Sequence, residues 1–493
     1  MEQQPNIVLF MSDQHGADYT EWGRISVDTP VLSSLRANGV SFDACYSSCP
    51  ICVPARMSLM SAQLPSRTGV FNNNDTLSNL TPCFTHALVS AGYETVLVGR
   101  MHFVGRDQRH GFTKRLAPDI TPVSWGRPVA ELKKQRGRTL TTFFDGGATE
   151  LVGAGESPVA YYDRMVVDTA LDYLSQPHAK PQFVVVGTYG PHFPYITTEK
   201  MYKKYIQRVC LPNGFAKGTL PKTVTENPIL AGRVKNETMT EENALACLAT
   251  YLGQIEIMDG QIGEVRKAAF ACAARDGRPA VFGYTSDHGD ACGENRLYGK
   301  RTYFDTSAKV PLLLEGDKIA AGRVITSPVS LMDVGPTICE LAGTTFEIGD
   351  GHSLANQLGG KMSEEIDRVV MSQMVDQTQD GEVASVMLRW REYKYVCYNT
   401  NPRCEFLVNL EQDPKEQRNI LAEQPVLAAW FAQRIAEDID FFAMEQTQRN
   451  HTRNVEWFRA YETIVGLDDS ERWQDNPPTA RGNLSITAVD RMG

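Results

Sequence analysis

The stretch Asn6-Ile7-Val8-Leu9-Phe10-Met11-Ser12-Asp13-Gln14-His15-Gly16 decides the fold class. Asn6 to Met11 reads as a strand: an apolar run without polar alternation, as in strands covered on both faces of a sheet. The run stops at a polar loop. Parallel α/β sheets place their chemistry where strands end in such loops, so Asp13 marks both a strand end and a candidate functional position.

Working outward, the same strand-then-polar-loop pattern returns. Glu94 to Val98 leads into Gly99-Arg100-Met101-His102, Gln182 to Thr188 into Tyr189-Gly190-Pro191-His192-Phe193-Pro194, and Ala280 to Thr285 into Ser286-Asp287-His288-Gly289-Asp290. Thr29-Pro30 opens an amphipathic helix closed by Asn38-Gly39, Val40 to Tyr46 reads as a further strand, and Phe84 to Ala91 and Met332 to Ala342 read as helices. Leu245, Leu248, Leu252, Ile255, Met258, Ile262 and Val265 recur at helical spacing, which predicts a long covering helix over Glu241 to Lys267. Strands alternating with helices predict an α/β fold with a largely parallel sheet sandwiched by helices. The texture changes near Glu364. Val369 to Met374, Val383 to Trp390 and Tyr393 to Tyr398 read as short antiparallel strands and Val426 to Met444 as a helix. The expected division is a catalytic domain over 1–363, a smaller α+β subdomain over 364–445 and a polar tail over 446–493. The tail's Trp457, Phe458, Tyr461 and Trp473 predict docking, on its own chain or in a homo-oligomer.

With 493 residues, 42% of them hydrophobic, the chain can bury a large core. Lys+Arg 49 against Asp+Glu 59, a net charge of −10, and the lack of any basic stripe argue against nucleic acid. No apolar run approaches a bilayer span, and Met1 to Pro5 carries no signal-peptide pattern, so neither a membrane nor export is expected and the expected location is cytoplasmic. Eleven scattered cysteines fit reduced thiols.

Asp13 alone reads as a turn residue, Lys300 as a surface charge and His102 or His192 as a hydrogen-bonded structural histidine. Jointly, Asp13 and Asp287 at two strand ends suit a hard divalent cation. Cys52-Val53-Pro54-Ala55-Arg56 reads as the opening of a helix whose free N–H groups and dipole favour an anionic substrate. This Cys-x-Pro-Ala-Arg run, with Leu59 and Ser61 behind it, resembles the signature of type I sulfatases in the alkaline phosphatase superfamily. Arg100-Met101-His102 is similar to the family's Lys-x-His pair, Pro191 to Pro194 to its Pro-His-x-Pro loop, and Asp287 to Asp290 with Lys300 to its closing segment. The likeness runs from about Asn6 to Gly343.

That resemblance implies a sulfuric ester hydrolase in which a maturation enzyme oxidises Cys52 to formylglycine (3-oxoalanine). One hydroxyl of the hydrate attacks sulfur and the other releases sulfate. It further implies one Ca2+ held by Asp13, Gln14, Asp287, His288 and the oxidised Cys52, with Gln14 standing where a second carboxylate is usual. Arg56 would fix the hydrate, Asp287 would act as its base, Arg100 would grip sulfate, His192 and Lys300 would serve the leaving oxygen, and His102 would take a proton on release.

Three alternatives accompany this reading. Cys45-x3-Cys49-x2-Cys52 has the spacing of an iron–sulfur triad. An unmodified Cys52 would leave a non-catalytic anion binder. A phosphonate monoester or phosphodiester hydrolase shares the signature and also resembles the Asp-Gln pair. Leu64 to Val70, Gly99 to Gly105 and Asp107 to Phe112 look especially like choline sulfatases, and Trp125 is a candidate for the aromatic cage a quaternary ammonium needs. Phe193, and Phe143 to Gly147 without a His-Asn pair, depart from that pattern. The expected substrate is therefore a sulfated sugar or small organic sulfate, with Asn73, Asp107, His110 and Trp125 on its approach.

Overall fold

A computed structural model of the chain describes residues 3–125, 149, 151–216, 218–234, 239–360, 365–465 and 473. The opening run is β1 (Asn6–Asp13), with all eight residues buried. Its side chains divide by parity. Val8 and Phe10 enter one apolar cluster, while Ile7, Leu9 and Met11 enter another, as a strand covered on both faces requires. Each such burial contributes about 1.5–3 kcal/mol.

Ten more strands follow before the chain changes texture: β2 (Val40–Tyr46), β3 (Glu94–Gly99), β4 (Lys114–Ala117), β5 (Val152–Ala154), β6 (Gln182–Pro191), β7 (Tyr195–Thr197), β8 (Ala280–Ser286), β9 (Lys309–Gly316), β10 (Arg323–Ile325) and β11 (Val329–Ser330). Nine strands make one sheet in the order β10-β2-β9-β8-β1-β6-β3-β4, with β11 also beside β2. All its pairings are parallel except those of β9, which runs against β8 and β2. The expected sandwiched, largely parallel sheet is present. One face is covered by the helices Pro158–Leu174 and Glu241–Asp276, the other by Cys52–Ser61, Phe84–Ser90 and Val334–Leu341. The long helix outruns the expected Lys267 because Ala269, Cys272 and Ala273 continue its buried stripe, and it ends where Gly277 turns left-handed. No helix among the described residues is long and apolar enough to cross a membrane.

The C-terminal strands β12 (Val369–Thr378), β13 (Gly381–Trp390), β14 (Tyr393–Tyr398) and β15 (Cys404–Asn409) form an antiparallel meander, one strand more than expected. It shares a core with the segment leading to Cys52. Val370, Met374, Met387 and Val396 pack with Tyr46, Cys49 and Ile51, and the Gln373 N–H donates to Ser48 O at 2.8 Å. Fully buried Lys394 adds bonds to Tyr303 O (2.8 Å), Glu416 (2.7 Å) and Asp305. The helix expected over Val426 to Met444 is instead two, Pro425–Asp438 and Phe441–Val465. Ile439 is extended, and Asp440 starts the second helix by accepting the Ala443 N–H at 3.0 Å. What was expected to be a polar tail after Gln446 is therefore helical to Val465.

Candidate active site

The four strand-end loops meet at one edge of the sheet because their strands are neighbours. Ser12 lies opposite Ser286, Asp13 opposite Pro191 and Gly99 opposite Gly187. Gly99 has φ +88°, and a Cβ there would lie 2.4 Å from Gly187 O, so only glycine lets β3 deliver Arg100 beside β6. Cys52 occupies the first turn of Cys52–Ser61, all ten of whose residues are buried. No side chain of the preceding residue caps that helix. Instead Asn73, expected on the substrate approach, accepts the Val53 N–H at 3.0 Å.

Asp13, Cys52, Asp287 and His288 offer ligand atoms that all lie within 4.8 Å of one another. His288 Nδ1 is 3.0 Å from Gly289 O, which directs the Nε2 lone pair to the cluster, 3.2 Å from Cys52 Sγ and 3.7 Å from Asp13. Gln14 sends its Nε2 to Asp290 at 2.6 Å and leaves a fully buried Oε1 without a partner. Two carboxylates and an imidazole, with the unpartnered amide oxygen of Gln14 on the residue next to Asp13, are a donor set that fits a divalent cation.

Two arginines brace these carboxylates, and here the expectations need correcting. Arg56 donates to Asp287 (2.8 Å), Asp13 (3.3 Å), Ser12 O (3.2 Å) and Arg100 O (3.3 Å), rather than to residue 52. Arg100 donates to Asp13 (2.7 Å), Asp119 (3.0 Å) and Thr121 Oγ1 (2.6 Å), and its remaining Nη is 2.8 Å from His102 Nδ1. Its fork is thus held by protein groups, and only 1% of it is exposed. Asp287 already accepts from Arg56, Gln14 N (3.0 Å) and its neighbour's N–H (2.9 Å), so protein donors occupy both of its oxygens. Burial opposes ionisation of Asp13 and Asp119, but the Arg100 guanidinium holds both well below the usual carboxylate range.

On the other side of Cys52, Lys300 Nζ lies 2.8 Å from Sγ and 2.8 Å from His192 Nε2. Burial disfavours the thiolate, yet the neighbouring positive charge, Lys300 first, outweighs it and holds the thiol well below its ordinary range. Burial, with the neighbouring Lys300 charge, lowers His192; burial and Arg100 lower His102. Both shifts favour the neutral rings, and the Arg100 donor at His102 Nδ1 leaves that ring's proton on Nε2. Cys45 and Cys49 behave differently: each sits in an apolar cluster, and burial pushes both thiols up. That disfavours the thiolates an iron–sulfur triad needs.

Three of the expected approach residues are occupied elsewhere. Asp107 accepts the Arg109 and His110 N–H groups at 2.9 and 3.0 Å, and His110 packs on Phe103, with no bond from either to the cluster among the described residues. Trp125 stacks on Phe458 at 4.9 Å, donates to Asn74 O at 2.7 Å and lines a groove of about 920 Å³ with Thr76, Trp457 and Tyr461. Trp473 O accepts the Asp119 N–H at 2.8 Å, and Arg115 lies over its ring, so this part of the tail docks on its own chain. Phe143 to Gly147 lie outside the described residues. Sequence reading missed Asp119, Thr121 and Asp163. Asp119 follows the short strand β4, so a carboxylate at a strand end was the available signal. Asp163 accepts the Tyr189 and Gly190 N–H groups at 2.7 and 2.9 Å from within a helix, which no local motif announces.

The sulfatase family model matches residues 5–344, and a model described as N-sulphoglucosamine sulphohydrolase, C-terminal, matches 293–438. Choline-sulfatase of Rhizobium meliloti (strain 1021) is 33% identical over 438 residues, covering 85% of this chain and 83% of its own. Arylsulfatase K of Danio rerio is 27% identical, covering 92% and 87%. Phosphonate monoester hydrolase of Agrobacterium radiobacter shares the fold, with a TM-score of 0.73 at 20% identity over 91% of this chain and 96% of that one. On the match over residues 5–344, the chain belongs to the sulfatase family of sulfuric ester hydrolases.

Proposed function

We propose that this sulfatase hydrolyses a small organic or carbohydrate sulfate ester, using residue 52 as formylglycine and one divalent cation, Ca2+, held by Asp13, Gln14, Asp287, His288 and residue 52. The observation that carries the reading is the position of Cys52. It sits at a buried helix N-terminus among Asp13, His288 and Lys300, at 3.7, 3.2 and 2.8 Å. Oxidised and hydrated, residue 52 supplies a nucleophilic hydroxyl and a second hydroxyl through which sulfate is released. A cation held by Asp13, Gln14, Asp287 and His288 would supply Lewis-acid polarisation of the sulfate. The chain's own groups do the rest. Helix N–H groups and the Lys300 ammonium attract the sulfate. Lys300, supported by His192, delivers a proton to the leaving oxygen. Arg100 donates to His102 Nδ1 and so keeps the ring's proton on Nε2, which makes neutral His102 a hydrogen-bond donor that orients residue 52 in place of the expected proton acceptor. Arg56 and Arg100 hold the Asp13 and Asp287 carboxylates in place for the cation.

With Cys52 only 1% exposed, its maturation must precede folding of the helix, so the partner enzyme recognises an open Cys52 to Arg56 segment. All eleven cysteines are free, which supports a reducing, cytoplasmic setting. Trp457 and Ile464, 74% and 85% exposed on the last helix, support a homo-oligomer, to be tested by light scattering of Trp457→Glu. Gln14 in place of a second carboxylate favours phosphonate monoesters as the second reading. A panel of sulfate esters, choline sulfate included, and phosphonate esters on matured enzyme, with Cys52→Ala as blank, decides the matter. Phosphonate turnover exceeding every sulfate ester by orders of magnitude would reverse the order of the two.

A further inference from the structure

Asp290 lies one residue beyond the Asp287-His288-Gly289 segment and is fully buried. Its Oδ1 accepts the Cys292 and Gly299 N–H groups at 2.8 and 2.7 Å, and its Oδ2 accepts Gln14 Nε2 at 2.6 Å and the Tyr195 hydroxyl at 2.8 Å. The Gln14 backbone is equally fixed. At φ +72° its N–H donates to Asp287 at 3.0 Å and its carbonyl accepts from Tyr251 at 2.6 Å. What stays free is which end of the amide faces which way. A carboxylate is acceptor-only, so it bonds the NH2 end alone and consigns the oxygen to the opposite side. That oxygen is the buried atom without a partner.

We infer that Asp290 is the positioning residue that orients Gln14 as an oxygen ligand of the cation; the inference rests on the cation reading proposed above. Asp290→Asn tests it with little change of shape. The two backbone N–H groups keep an oxygen at the Oδ1 place, so the new NH2 takes the Oδ2 place and meets the NH2 of Gln14. Two donors cannot pair. Gln14 turns over, accepts the new bond with its oxygen and presents NH2 to the cation. Gln14→Glu restores an oxygen on both sides, so the double variant should bind again, while Gln14→Glu alone sets two carboxylates against each other.

The experiment is calorimetric titration of Ca2+ into full-length matured enzyme stripped of metal, for wild type, both single variants and the double variant, with circular dichroism of each metal-free protein. Asp290→Asn is expected to weaken Ca2+ binding by roughly 10- to 100-fold, the range for groups that orient a ligand, and the double variant to recover most of it. Asp290→Asn binding within twofold of wild type overturns the inference. So does a double variant that fails to fold or to regain affinity, including when Asp290→Asn alone does not fold. Wild type taking up no Ca2+ sinks the cation reading itself, a separate result.

Discussion

Replacing Arg100 with Lys installs the residue usual at this place in the motif, and the structure predicts that it fails. Arg100 reaches Asp13, Asp119, Thr121 and His102 in different directions from one planar group. A lysine ammonium is a single point and can satisfy one of the two carboxylates. If it stays with Asp13, Asp119 keeps only the N–H groups of His102 and Thr121 and the Thr121 hydroxyl, and loses its cation in a fully buried place. Losing a buried charge partner costs about 3–5 kcal/mol; the bonds Asp119 retains put the expectation at the lower end, about 3 kcal/mol. That shifts the unfolding equilibrium by roughly two powers of ten. Urea unfolding followed by circular dichroism reads it as a lower midpoint with unchanged slope. The same enzyme should lose turnover, because His102 loses the group that fixes its Nδ1. A stability change under about 0.5 kcal/mol with full activity would show that the guanidinium faces substrate, and the bracing account would be wrong.

Lys300→Met should lower kcat by about 10²–10⁴, the usual contribution of a positioned proton donor, with the fold intact by circular dichroism; wild-type turnover would remove Lys300 from the mechanism. Burial raises the Asp163 carboxyl to about 7, against the Tyr189 and Gly190 N–H groups that favour its ionised form. A raised folded value favours the native state at low pH, so stability should fall between about pH 4 and 7 from this group and level off above. Asp163→Asn should flatten that decline in urea midpoints measured across the window, and an unchanged slope would refute the assignment. Chelation should lower both activity and melting temperature, with added Ca2+ restoring them; a melting temperature indifferent to chelator and Ca2+ would count against a structural cation.

The fold was readable where burial leaves a one-dimensional trace. Ile7 to Met11 and the stripe from Leu245 to Val265 carry their environment in their spacing, and the strand-end loops followed from them. Boundaries set by a single cap were not readable. The helix break at Ile439 depends on Asp440 turning its side chain back, and the late strand Cys404–Asn409 on pairing with Tyr393–Tyr398. At the site, residue identities were legible but bonding was not. Arg100 in a sulfate-binding motif reads as a substrate ligand, and only the approach of Asp119 from the end of β4 shows its fork to be engaged. Asp107 and His110 were drawn to the approach by likeness of sequence, yet they close their own turn. Which end of Gln14 faces inward depends on Asp290, whose distance in sequence gives no sign of contact.

The central claim concerns residue 52 and is tested most directly by peptide mass spectrometry of natively matured enzyme, alongside sulfate ester turnover on the same preparations. The account predicts an aldehyde at position 52, turnover proportional to the fraction of chains that carry it, and none for Cys52→Ala. Full sulfatase turnover by protein whose residue 52 is wholly an unmodified thiol would contradict it.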